Sequence, residues 1–271
     1  WAVSGPRRRP ARSDRRAELR GADRVSRALY IFRDAALDGP TNMARDEHLL
    51  YDEAVRPAAV RIYAWDPPTI SLGYFQRFAD VARLPADVRS LAVVRRLTGG
   101  GAILHDREVT YCLVLDGSVP AATHAPTVLY RLVHECWRVA LSSDGPAAEL
   151  APEHFPLPTP RTGPFFCFEK PGQTDLIIGA RKLLGSAQRR LPGRVLQHGS
   201  LLLGQRFASH PGADLGEPPA EVVARWINGF LERLAAALEL KACVTQWTAA
   251  QLADVAARRA RYAGREWTEK R

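Results

Sequence analysis

Three consecutive glycines, Gly99, Gly100 and Gly101, follow Arg95 and Arg96 and precede His105. Without a Cβ they can take positive φ and let main-chain N–H groups approach a bound oxygen, while the flanking side chains supply polar contacts. A glycine-rich turn with solvated basic neighbours fits the same residues. Residues 163–203 add a cysteine, Cys167, a lysine, Lys182, a histidine, His198, and small polar residues including Gly185 and Ser186. A cysteine can act as a nucleophile that divides one difficult group exchange into two easier steps through a covalent intermediate. An ammonium beside such a thiol favours the thiolate and can stabilise a developing oxyanion. Taken singly, Cys167 between Phe166 and Phe168 also reads as a small core residue, and Lys182 as a solvated hairpin residue. His105 or His198 could relay a proton or shape a loop by bonding the backbone.

Several function classes recede on composition. The chain has 271 residues, 46% of them hydrophobic, enough for a substantial core in one main domain. No apolar run approaches the roughly 18 residues that span a bilayer, so no membrane partner is expected. Cys112, Cys136, Cys167 and Cys243 form no C-x-x-C pair, so neither a zinc site nor a disulfide framework is indicated, and the cytoplasm is the expected compartment. The net charge of +9 sits at the ends. Residues 1–28 hold nine arginines against three acids, and residues 256–271 hold six basic against two acidic residues, which leaves −1 for the rest. Nucleic acid is therefore not an expected partner, and residues 1–28 read as a disordered arginine-rich tail.

These groups must be positioned by a mixed α/β chain. Strands are expected at 28–32, 60–65, 69–75, 91–96 and 109–115, the last two flanking the glycine loop. Shorter ones follow at about 165–168, 174–179, 182–189 and 194–203. A helix capped by Thr41 or Asn42 should run to about Val55, and others should cover 125–141, 219–238 and 248–262. The proline-rich stretch 144–164 reads as a loop over the sheet. Many connections are too short for crossovers, which predicts mostly antiparallel neighbours. Strand alternation sends Arg95 and Arg96 to opposite faces, and a bend at the glycines could exchange them. The boundaries expected are a tail over 1–28, a catalytic domain over 29–262 and a basic tail over 263–271.

The words RRLTGGGAILHDREVTY at 95–111, CF at 167–168, GARKLLGSAQRR at 179–190 and VLQHGS at 195–200 together resemble the biotin/lipoate protein ligase catalytic domain. They are closest to its cysteine-dependent octanoyltransferase branch. LDGPTNMARDEHLL from Leu37 is similar to the family's opening strand-to-helix segment. The resemblance implies an α/β (α+β) fold, a largely antiparallel sheet flanked by helices. It implies that Cys167 carries the acyl group and that Lys182 points into the acyl pocket, with Arg95, Gly99, Gly100, Gly101, His105, Gly185 and Ser186 as substrate-binding residues. It further implies transfer of octanoyl from acyl carrier protein to the lipoyl lysine of a glycine cleavage H protein or an E2 lipoyl domain, by a monomer without a metal or other cofactor. An ATP-dependent lipoate ligase, which would need ATP and magnesium, is the alternative; a non-catalytic carrier-binding relative is another. The ligase branch usually carries a small accessory domain, and few residues follow position 240.

Overall fold

A computed structural model describes residues 27–152, 154–155 and 164–271. The expected disordered tail lies almost wholly outside them, as does much of the expected proline-rich loop.

The main sheet has eight strands in the order β11-β1-β2-β6-β10-β9-β8-β7. These are β1 (Ala28–Leu37), β2 (Ala58–Trp65), β6 (Glu108–Asp116), β7 (Glu149–Leu150), β8 (Leu176–Ile178), β9 (Arg181–Leu191), β10 (Arg194–Leu202) and β11 (Lys241–Val244). Pairings from β2 through to β7 are antiparallel, and β1 is parallel to both β2 and β11. A separate three-stranded sheet, β4-β3-β5, is built from β3 (Thr69–Leu72), β4 (Ala92–Arg95) and β5 (Ile103–His105). The mostly antiparallel α/β architecture was therefore legible, while the division into two sheets was not. The glycine loop is followed by β5 before β6 begins, instead of leading straight to the strand near Val109.

Period-two alternation places the two faces of the main sheet against different helices. Leu29, Ile31, Val60, Ile62, Tyr111 and Leu113 face α2 (Pro126–Leu141) and α3 (Ala220–Ala237), where Trp137 stacks on Phe230 at 4.1 Å. Both rings are fully buried, and side chains of this size contribute roughly 1.5–3 kcal/mol each on burial. Phe32, Tyr63, Cys112 and Val114 face the opposite way, onto α1 (Gly39–Tyr51) and α4 (Ala249–Ala263). Asp38, and not Thr41 or Asn42, caps α1, its carboxylate accepting the Thr41 N–H at 2.8 Å; the helix ends at Tyr51 and a 3₁₀ turn, Glu53–Val55, follows.

Two further expectations are corrected. Residues 165–168 do not form a strand: Cys167–Glu169 is a 3₁₀ turn, joined to the glycine loop by one bridge between Ala102 and Phe166. The Glu169 carboxylate takes the Phe166 N–H at 2.9 Å, which closes the turn instead of leaving that group for a ladder. Residues 263–271, expected as a basic tail, form a helical turn at Arg265–Thr268 that docks on β4: the Trp267 indole donates to Arg95 O at 2.9 Å and Phe78 N donates to Arg271 O at 2.8 Å. Among the described residues no helix is long and apolar enough to cross a membrane.

Candidate active site

Cys167 and Lys182 meet. The Lys182 ammonium lies 3.2 Å from the Cys167 sulfur and 2.8 Å from Asp175 Oδ2, so it bridges thiol and carboxylate. Lys182 is buried near the start of β9, and its Nζ stands 5.2 Å from the centre of the Phe168 ring. Burial opposes its charge, but Asp175 and Cys167 outweigh burial and hold the ammonium above its ordinary pKa. The register between β8 and β9 shifts between Leu176 and Ile177, and Leu183 has no place in the paired register, which sets Lys182 and Gly185 on the same side. A Cβ at Gly185 would overlap Cε and Nζ of Lys182, so only glycine leaves the lysine this path.

Asp175 was not anticipated as a site residue. It is fixed from several directions: Gly172 N donates to its Oδ2 at 2.7 Å, and Ala151 N donates to its carbonyl oxygen at 2.8 Å. Thr174, immediately before it, has φ of 71° and is held by His134 of α2, whose Nδ1 donates to Thr174 O at 2.5 Å. Because that nitrogen faces a carbonyl, the imidazole's Nε2 is left to accept from Ser186 Oγ at 2.6 Å. Tyr111 and then Gln197 continue the chain, at 2.5 and 2.8 Å. Burial pulls the His134 pKa down to about 4, as a neutral ring in this network requires. Ser186, expected to bind substrate, spends its hydroxyl here.

The glycine loop abuts the cysteine from the other side. A Cβ at Gly101 would fall 2.9 Å from the Cys167 nitrogen and 3.1 Å from Phe165 O, and Cys167 N donates to Ala102 O at 2.8 Å. Gly100 has φ of 92°, and its carbonyl occupies the space where Gly73 would carry a Cβ. The loop is gripped by Arg96, which donates to Gly99 O at 2.8 Å and Gly101 O at 2.7 Å. The expected roles of the two arginines are thereby reversed. Arg95 turns to the docked C-terminal segment and donates to Thr268 O at 3.0 and 2.8 Å and to Gln76 O at 2.7 Å, because β4 ends at Arg95 and the chain bends into the glycines. Burial lowers the Arg96 pKa to about 10, against the opposing pull of Cys167.

Behind the loop, Arg96 bonds Thr98 Oγ1 at 3.1 Å, Thr98 meets His198 Nε2 at 2.7 Å, and His198 Nδ1 meets Asp46 at 3.0 Å. Asp46 in turn pairs with the fully buried Arg61 at 2.8 Å. His198 is thus a strut under the loop. His105 does not reach Cys167: Nδ1 is on Glu108 and Nε2 on Ser71 Oγ, each at 2.7 Å, and its ring stacks on Trp65 at 3.7 Å. It lines a small cavity with Trp65, Ser71, His198 and Ser200. Ile103 belongs both to that wall and to the apolar cluster of Phe168, Leu202 and Cys167.

A half-buried cysteine is thus set against a buried, carboxylate-held lysine and a glycine loop. The chain belongs to the lipoyl protein ligase A/B catalytic domain family, which its sequence matches over residues 38–256. It is similar to octanoyltransferase LipM of Bacillus subtilis (strain 168), with 38% identity over 188 residues, 66% of this chain and 67% of that one. To octanoyltransferase LipM of Moorella thermoacetica it is 41% identical over 174 residues, 63% of each chain. The chain thus spans about two thirds of these relatives' length. Among solved structures it resembles lipoate-protein ligase A bound with ATP, with a TM-score of 0.68, 17% identity and coverage of 90% of this chain and 99% of that one. A bi-partite lipoate protein ligase of Thermoplasma acidophilum, studied with its E2 lipoyl domain, gives a TM-score of 0.65 at 16% identity, covering 90% and 96%. Likeness at such identities establishes the fold.

Proposed function

We propose that this chain is an octanoyltransferase of protein lipoylation, acting through an acyl-enzyme on Cys167. The observation that carries the reading is the 3.2 Å contact between Lys182 Nζ and Cys167 Sγ, with Asp175 holding the lysine charged. In the first half-reaction the Cys167 thiolate attacks the thioester carbonyl of octanoyl-acyl carrier protein. The bond to the carrier sulfur breaks, and that sulfur takes up the proton that the Cys167 thiol gave up. In the second, the lipoyl lysine of an H protein or E2 domain attacks the octanoyl-cysteine as a free amine, the C–S bond breaks, an amide forms, and the proton lost by the amine returns to the Cys167 sulfur. Lys182 stabilises the oxyanion of each tetrahedral intermediate.

The thioester arrives activated, so neither half-reaction calls for a nucleotide or a metal, and one copy of the chain carries every group invoked. The proposed compartment is the cytoplasm, in keeping with the proposed donor and acceptor. An ATP-dependent ligase would activate a free acid as an adenylate and would leave the Cys167–Lys182 contact without a task; relatives named as transferases, at 36–41% identity, also favour transfer. Incubation with octanoyl-acyl carrier protein and an acceptor, without ATP, should give octanoylated acceptor. Product formed only from free lipoate and ATP would replace this reading with the ligase.

A further inference from the structure

Tyr74 and Phe75 stand at the rim of the glycine loop. Phe75 is the side chain nearest to Gly99, and the neighbouring Gln76 amide donates to Phe165 O, two residues before Cys167, at 2.9 Å. Cations converge on this rim from two distant parts of the chain. Lys270 Nζ lies 3.6 Å from the Tyr74 ring centre and 3.4 Å from that of Trp267. The Arg271 guanidinium lies 5.7 Å from Tyr74 and 5.3 Å from Phe75, and Arg189 of β9 comes within 5.9 Å of Tyr74. Under them sit Arg95 and Arg96, both buried and bonded to carbonyls and hydroxyls. Among the described residues none of these five cations is paired with a carboxylate, in a chain whose other arginines repeatedly find one.

Burial acts most strongly against the charge on Lys270, Tyr74 supports that charge, and Arg95 and Arg271 both repel it. A cluster left uncompensated at the mouth of a site raises the local concentration of anions and speeds their encounter. Phe75, 55% exposed, adds an apolar anchor. The partner follows from the chemistry of the two half-reactions. The acceptor presents a lysine, whose ammonium these cations repel, whereas the donor's acyl group is a neutral thioester on a carrier whose own surface is free to be acidic. We infer that Arg189, Lys270 and Arg271, with Tyr74 and Phe75, form the docking surface for the acidic face of the octanoyl-carrier protein. The inference rests on the transferase reading for the identity of the donor.

The test compares wild type with Arg189→Glu/Arg271→Glu, and with Arg189→Gln/Arg271→Gln should the charge reversal disturb folding. Acyl-enzyme formation is followed with octanoyl-carrier protein, octanoyl-phosphopantetheine and uncharged octanoyl-pantetheine, and carrier binding is titrated directly. The expected result is a loss of about tenfold or more in kcat/KM for the carrier protein, a weaker salt dependence, and rates within about twofold of wild type for both small thioesters. Carrier kinetics and salt dependence like those of wild type overturn the docking surface and leave the transferase reading standing. An equal loss with octanoyl-phosphopantetheine means that the cluster reads the arm's phosphate, and an equal loss with all three donors means that it supports the fold; either overturns the inference. A rise confined to the acceptor's KM overturns the choice of partner. Binding of carrier that depends on these residues, without acyl transfer by wild type, keeps the docking surface and removes the transferase reading.

Discussion

The Lys182 side chain lies across Gly185, in space that any Cβ at position 185 would fill. Glycine is needed here for close approach, not for an unusual φ, and its partner in β10 is Ser200, within an unbroken ladder. Gly185→Ala should therefore give a folded protein in which the ammonium no longer reaches the thiol. Acyl-enzyme formation should fall roughly ten- to hundredfold, as expected when a reacting group is misplaced by about an ångström. Circular dichroism and single-turnover rates check the two halves of the expectation.

Lys182→Ala should reduce transfer by roughly two to three orders of magnitude, the scale of losing one oxyanion stabiliser. Lys182→Arg should recover little, because a planar fork does not fit where a compact ammonium sits between Asp175 and Cys167. Near-normal turnover in both variants would return Lys182 to a structural role.

Asp175 makes a pH prediction. It is the largest influence holding the Lys182 ammonium up against burial, so the lysine stays charged through and beyond its ordinary titration range. In Asp175→Asn burial prevails, the lysine pKa falls, and the alkaline loss of acyl transfer should move to lower pH. The rate of acyl-enzyme formation between pH 7 and 10 measures it; an unmoved alkaline limb would show that Asp175 does not control the charge.

His134 makes a stability prediction of the opposite sign. Its folded pKa is depressed to about 4 while the unfolded chain keeps the ordinary value near 6.5, so between these pH values the unfolded state binds more protons and stability falls as pH falls. The loss approaches something on the order of 3 kcal/mol by pH 4. His134→Asn should be less stable at neutral pH and show a shallower fall from pH 7 to 5, as measured by urea denaturation. A slope equal to that of wild type would mean that the ring is protonated in the fold.

The family words carried Cys167, Lys182 and the glycine loop, because each lies in a run where several residue types are constrained together. Arg95 and Arg96 were misassigned because alternation applies only within a ladder, and Arg96 lies beyond the end of β4. The strand expected at 165–168 failed for a related reason: Phe165-Phe166-Cys167-Phe168 is apolar enough for a strand, but its groups are spent on a turn and a single bridge. Asp175 and His134 gain their roles from contacts with residues distant in sequence. His134 did leave a signal, since it is a polar residue among Leu129, Val133, Trp137 and Ala140 on the buried face of α2. A buried histidine in such a stripe needs partners. Its partners come from β9 and the Thr174 turn, which linear spacing does not bring together.

The most direct measurement is the intact mass of the protein after brief exposure to octanoyl-acyl carrier protein, without ATP and without acceptor. Wild type should gain about 126 Da, the octanoyl group replacing one hydrogen, with the adduct on Cys167 by peptide mapping and discharged when acceptor is added. Cys167→Ala should gain nothing and make no product. Octanoylated acceptor formed by Cys167→Ala at the wild-type rate, or an adduct located on Cys112 or Cys136, would contradict the assignment of Cys167 as the acyl-carrying residue.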